Sequence, residues 1–246
     1  MSHITIDAAG VHYTPLNKQI RQAVRDGVSE ITLQNIMGQR FIADGLTGKV
    51  KIVIHGVPGG DLGMFMKGPT IEVLGNADHA PGNTMDEGTI IIHGASGDAT
   101  GHSMRGGKIF VRDDIGYRGG IHMKQFQGKR PVLVIGGTAK AFLGEYMAGG
   151  LVIMFRMQDE ASYAEMGLAS GIHGGEIFIR GTVEDWTLGI GSTATTATKE
   201  EIEKIQPYIN EFSEYYGIDS QKLLNSSYTR ITPVSNRPFA GKYTWE

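Results

Sequence analysis

The 246-residue sequence contains no cysteine. That absence excludes disulfide staples, thiolate zinc sites and an iron–sulfur cluster held by this chain itself. It is compatible with a reducing compartment, so a cytoplasmic location is expected. Positive charge is not in excess. The 23 Lys and Arg against 26 Asp and Glu give a formal net charge of -3 and a sequence pI near 6.2. A nucleic-acid groove or a polybasic membrane surface needs clustered cations, so neither partner is expected. No run approaches the ~18 apolar residues that cross a bilayer. The first residues, MSHITIDAAGVHYTP, lack the basic-then-apolar order of a secretion signal.

Glycine is the residue in excess. There are 36 among 246, about 15%, against a usual ~7%. No three-residue period accompanies them, which excludes collagen. They alternate with Val/Ile-rich runs, which argues against disorder and for many turns. The runs are KIVIHG (51–56), TIEVLG (70–75), TIIIHG (89–94), KIFVRD (108–113), VLVIGG (132–137), LVIMFR (151–156) and EIFIRG (176–181). Between them recurs Gly-x-x-Met: Gly63–Met66, Gly82–Met85, Gly101–Met104, Gly120–Met123 and Gly144–Met147. The same slot reads Ala43–Leu46 at one end and Ala169–Ile172 at the other. The small residue steps by 20, 19, 19, 19, 24 and 25 residues, which marks seven coils with insertions in the last two.

One strand per period of about 20 residues, without a leucine-rich pattern, predicts a parallel β-helix. Its coils stack about 4.8 Å apart. Equivalent residues then stack on themselves. Met66, Met85, Met104, Met123 and Met147 become an internal ladder, and the glycines serve corners that need positive φ or close backbone approach. The fold class is therefore all-β: a single-stranded parallel β-helix of about seven coils over residues 37–190. Residues 1–36 read as a short helix (15–26, with Leu16, Ile20, Ala23 and Val24 apolar) and a capping strand (30–36). Residues 191–246 read as a helix over 198–217 and an extended tail. Thr198 with Glu201 forms a capping box there, and Gly217 is a stop.

Strand alternation sorts each run into inner and outer residues. Inner pairs run from Ile52/Ile54 through Ile90/Ile92 to Ile177/Ile179. The residues between them, Val53, Glu72, Ile91, Phe110, Val134, Ile153 and Phe178, point out, and six of these seven are apolar. So long an apolar stripe needs a cover. The 198–217 helix, a partner subunit or a second copy are the expected covers.

Candidate chemistry is sparse. Six histidines fall in the coils: His55, His79, His93, His102, His122 and His173. His55 and His93 share a column two coils apart, about 10 Å, with Leu74 between, too far to share an ion. Gly101-His102-Ser103-Met104-Arg105 approaches a nucleophile elbow, but Arg105 replaces the closing glycine. The period already accounts for Gly101 and Met104. Asp61, Asp98, Asp113 and Asp114 at coil edges suggest paired carboxylates of a carbohydrate-active β-helix. Acidic residues are also common at turns, and no aromatic-rich sugar platform accompanies them. Arg105, Arg118 and Lys124 read as solvated corners. No catalytic, cofactor-binding or metal residue is assigned.

The coils GNTMDEGTIIIHG, GDATGHSMRGGKIFVRDD, GIHMK and GTAKAFLGEYMAGG resemble the GXGXG domain of glutamate synthase, its C-terminal right-handed β-helix. The resemblance runs from about Asn17 to about Gly191. The same domain type occurs in one of the subunits of formylmethanofuran dehydrogenase and as a separate subunit of N-methylglutamate synthase. The resemblance implies a structural element. Glutamine hydrolysis belongs to an amidohydrolase domain, and amination of 2-oxoglutarate to a domain with FMN and an iron–sulfur cluster. It thus implies FMN and cluster on a partner chain, a glutamine amidotransferase chain as a second partner, and no cofactor here. A homo-oligomer is a further expectation.

Overall fold

The computed structural model describes residues 2–158 and 162–236. One 11-stranded sheet runs through them, in the order β1-β2-β3-β4-β5-β6-β7-β8-β9-β11-β10. The chain opens with β1 (His3–Asp7), crosses over through α1 (Tyr13–Arg25) and returns in β2 (Glu30–Met37), parallel to β1. Leu16, Ile20 and Ala23 of α1 are buried against the end of the solenoid core. They recur at helical spacing, so one face of α1 closes the open end. The capping strand expected at 30–36 is β2, the second strand of a βαβ unit that leads into the solenoid.

From β2 the coils repeat. The strands β3 (Lys51–Val57), β4 (Lys67–Val73), β5 (Glu87–Ile92), β6 (Lys108–Val111), β7 (Val132–Ile135), β8 (Ala148–Met154) and β9 (Gly174–Arg180) stack parallel. The register is the expected one: Ile52 faces Ile71, Ile71 faces Ile90 and Ile90 faces Ile109. All the inner residues are fully buried. Met66, Met85, Met104, Met123 and Met147 are buried to 0% exposure in the same core, with Leu46 and Ile172 at the ends. A minor ladder joins the opposite wall through parallel bridges from Ala77 to Ser96, Ile115 and Ala139.

The corners explain the glycine period. Each has three left-handed residues at alternating positions, for example Ala80 (φ 56°), Gly82 (φ 70°) and Thr84 (φ 53°). Their amides point alternately up and down the stack. Ala80 N donates to Asp98 O and Thr84 N to His102 O in the next coil, while Gly82 N donates to Leu62 O in the preceding coil. The same alternation holds at Ala99, Gly101 and Ser103. Left-handed backbone costs a non-glycine residue about 1–2 kcal/mol; here it keeps corner amides hydrogen-bonded where a plain turn would orphan them. Only the middle position also faces the core. A Cβ on Gly82 would lie 2.4 Å from Ile109 Cδ1, and one on Gly101 3.2 Å from Met104 Sδ.

After β9 the chain forms β10 (Ser192–Thr196), α2 (Lys199–Tyr216), α3 (Ser220–Leu224) and β11 (Tyr228–Pro233). Strand β11 pairs antiparallel with β9, and β10 pairs antiparallel with β11. Of the extended tail expected from Ile231 onward, Ile231–Pro233 belong to β11, the strand that ends the stack. Residues from Arg237 onward lie outside the described residues.

Candidate functional site

The outer stripe is where the chain spends its apolar surface. Phe110, Val134, Ile153 and Phe178 are buried beneath α2, together with Val132, Leu151 and Phe155. Ile205, Ile209 and Phe212 form the facing side of α2. Phe155 meets Phe212 edge-on at 4.8 Å, and Phe110 meets Tyr215 at 5.1 Å. The capping box at Thr198 and Glu201 fixes one end of α2, and Gly217 (φ 66°) ends it. So the cover is the chain's own helix over the last four coils. Val53 and Glu72, in the first coils, remain half-buried.

Polar contacts frame the helix. Lys108 Nζ lies 2.6 Å from Glu211 Oε1, and Tyr216 Oη donates to Ile92 O at 3.0 Å. Arg230 bridges Glu176 (2.9 Å) and Glu201 (2.7 Å), and Arg130 also bonds Glu176. Beyond the end of α2, Glu72 accepts from Lys51 and pairs with His93, each at 3.0 Å. Burial alone would raise the Glu72 pKa, but the hydrogen bonds and charges of Lys51 and His93 outweigh it and hold the carboxyl below its ordinary value. These are struts of a docked helix.

The sequence candidates do not converge. Asp98 accepts the Tyr117 amide at 2.8 Å and Asp114 the Thr138 amide at 2.6 Å, so both cap the next coil. Asp61 accepts from Asn83 (3.0 Å), and Asp113 pairs with Arg112 (2.8 Å). Each of the four is thus engaged by an amide or a cation. His79 accepts the Asp98 amide at 2.9 Å, and His173 Nδ1 sits 3.0 Å from Gly171 O. His55 is half-buried in its column two coils from His93. Ser103 occupies a left-handed corner position, and among the described residues no side-chain hydrogen bond joins it to a histidine. Arg118 pairs with Glu145 at 3.0 Å, whereas Arg105 and Lys124 are exposed. Among the described residues no group of three His, Asp or Glu is placed to hold a metal ion.

Spacing did not foresee one contact. The rings of His102 and His122 lie 6.0 Å apart, and His122 stacks on Tyr146 at 5.5 Å. Burial, and then the neighbouring His122, push the His102 pKa below its ordinary value, against a smaller opposite pull from Asp61. His102 and His122 occupy adjacent corner positions of successive coils, so a same-column comparison misses the pair.

A groove of about 530 Å³ runs beside the main strands, lined by Gly48, Gly68, Gly88 and Gly107 with Lys49 and Lys67 on its rim. Its floor is bare because the coils approach closely there: a Cβ on Gly88 would lie 2.4 Å from Pro69 O. Gly68, Gly88 and Gly107 are thus explained by stacking, and Gly48 by its left-handed backbone (φ 92°). No described helix is long and apolar enough to cross a membrane.

The chain is 52% identical over 256 residues to the uncharacterized protein MJ1350 of Methanocaldococcus jannaschii, covering 99% of this chain and 97% of that one. The GXGXG motif family matches residues 13–234. That span extends past the β-helix and takes in α2, α3 and β11. With corners and docked helix both inside the match, the chain belongs to the GXGXG motif family, that of the glutamate synthase C-terminal domain.

Proposed function

We propose that this chain is a non-catalytic structural subunit of a glutamate synthase-type complex. In this reading the complex carries out glutamine-dependent amination of 2-oxoglutarate or the related synthesis of N-methylglutamate. A separate chain carries FMN and an iron–sulfur cluster, another hydrolyses glutamine, and the assembly works in the cytoplasm. The observation that carries the reading is a family match over residues 13–234 in a chain without a single cysteine. Such a chain has no thiol for a cluster or for a glutaminase nucleophile. The scattered histidines and the structurally engaged Asp98 and Asp114 add support, and they weigh against a carbohydrate-active enzyme.

The test is affinity purification of the tagged full chain from its native source, followed by assay. The expected outcome is co-purification of a flavin and iron–sulfur chain with a glutamine amidotransferase, and glutamine-dependent glutamate formation that drops when this chain is omitted from reconstitution. The chain alone should be colourless and inactive. Stoichiometric flavin on the isolated chain, or an assembly of molybdenum or tungsten enzyme subunits around it, would overturn the reading.

A further inference from the structure

Strand β1 is one edge of the sheet and, among the described residues, pairs only with β2. Glu30 N donates to Ser2 O at 3.1 Å, and Ala8 N donates to Gln34 O at 2.9 Å. The even-numbered residues of this segment therefore turn their peptide groups toward β2. Backbone direction alternates along a strand, so the N–H and C=O groups of His3, Thr5 and Asp7 point away from β2, off the sheet edge. Side chains alternate with the same period. Ile6 is buried in the core with Ile4 packed against it, while His3, Thr5 and Asp7 stand exposed on the other face.

The strand reads His-Ile-Thr-Ile-Asp. It is a palindrome in apolar pattern with a base at one end and an acid at the other. We propose that β1 is a self-pairing edge that joins two copies of this chain antiparallel about a two-fold axis through Thr5. In that register Thr5 faces Thr5 of the second copy. His3 faces Asp7 of the second copy, and Asp7 faces His3. All three outward residues then sit in hydrogen-bonded pairs, each exchanging both backbone bonds. On the inner face Ile4 meets Ile6 on both sides of the axis and the two cores become continuous.

Other pairings are poorer. A one-residue slip sets the outward odd-numbered residues opposite even-numbered ones whose peptide groups already bond β2, so the ladder is lost. A parallel arrangement sets His3 against His3 and Asp7 against Asp7. The other sheet edge, β10, reads Ser-Thr-Ala-Thr-Thr and offers no charge to either end of β1. The side chains are also held in place: His3 Nε2 lies 2.9 Å from Thr32 Oγ1, and Asp7 accepts from Asn35 Nδ2 at 2.8 Å. Charged residues and short length are usual ways to blunt an edge; here an imidazole at one end and a carboxylate at the other complement only an antiparallel copy. The contact is small for an interface, so the dimer is expected to be concentration-dependent.

The experiment is sedimentation equilibrium of the full chain over a concentration series, with circular dichroism as the control for folding. The wild type is expected to move from chain mass to twice chain mass. Thr5→Pro removes only the outward N–H at the axis and is expected to stay monomeric with an unchanged spectrum. His3→Asp should weaken the dimer roughly tenfold by setting like charges across both pairs. The double variant His3→Asp/Asp7→His should restore it to within a few-fold. A wild type that stays monomeric at millimolar concentration overturns the proposal. So does a dimer indifferent to Thr5→Pro, a swap that fails to restore association, or open-ended growth, which would signal β1 pairing with β10. Should Thr5→Pro unfold, the charge variants decide alone.

Discussion

The two faces of the same strands differ in a simple way. The inner residues are apolar in every coil from β2 to β9 and all are buried. The outer residues change along the stack: Thr32, Val53 and Glu72 in the first three coils, then Ile91, Phe110, Val134, Ile153 and Phe178. Helix α2 lies over Phe110, Val134, Ile153 and Phe178, its last turn reaching Ile92 and His93 through Tyr216. The inner face is made apolar by the stack itself, which always encloses it. The outer face is continuously apolar only where α2 covers it; in the first three coils Val53 stands alone between Thr32 and Glu72. Outer composition therefore reports docking, coil by coil, while inner composition reports only that the solenoid exists.

The largest expected effect strikes the inner face. Met104→Lys places an unpaired ammonium in the middle of the methionine ladder, at a residue with 0% exposure. Leaving a buried charge uncompensated costs about 3–5 kcal/mol. Coils support each other through neighbours, so the expected product is insoluble or lacks a cooperative melt. A well-folded variant with an unchanged melting temperature would contradict the register. Phe110→Asp strikes the outer face. Removing a buried phenylalanine costs about 3–5 kcal/mol, but here the loss should fall on helix docking. Amide exchange should quicken in α2 and stay slow in the inner strands. Equal loss of protection on both faces would mean that the two faces unfold as one unit.

A smaller effect separates the corner positions. Gly82→Ala adds a Cβ that meets Ile109 Cδ1 at 2.4 Å in left-handed backbone. Strain and overpacking together should cost about 1–3 kcal/mol. Ala99→Gly, at an outer left-handed position (φ 56°), relieves strain but frees the unfolded chain. It should leave stability unchanged or raise it by up to about 1 kcal/mol. Denaturant melts of the pair measure the difference. If both variants lose equally, core contact is not what distinguishes the middle position.

The smallest effect is a slope with pH. Burial depresses the His102 pKa in the folded chain. The unfolded chain therefore binds its proton more readily. The sign is that of a depressed folded pKa: the contribution is present above the ordinary histidine value near 6.5 and is lost as pH falls below it. Stability should thus fall from pH 7 to pH 5, and His102→Gln should flatten that fall. An unchanged slope in the variant would assign the pH dependence to other groups.

Much of this molecule was legible because a solenoid writes its geometry as a period. The inner columns, the methionine ladder, the register Ile52–Ile71–Ile90–Ile109 and the outer stripe all follow from aligning coils. The strand β1 was not legible, since its five residues precede the first corner and repeat nothing. Nor was the antiparallel pairing of β10 and β11, because a strand entering from the opposite direction carries no corner motif. At the corners only the glycine stood out. The flanking left-handed residues are as varied as Ala, Thr, Ser, Asp, Arg, His, Phe, Tyr and Gly, so no one residue type marks those positions.

Among the candidate site residues, the register sets His55 and His93 two coils apart. Spacing did not bring His102 to His122, because those rings meet diagonally between columns. It also did not foresee that Asp98 and Asp114 spend an oxygen on the amide of the next coil. The sequence by itself determined the coil, since each period must bury the same positions and turn at the same place. Only the tertiary structure decided what covers the outer face, which acids are engaged, and where the sheet is left with an open edge. Those depend on contacts between segments that share no repeat, where hydrogen-bond partners and apolar neighbours are chosen by position in space.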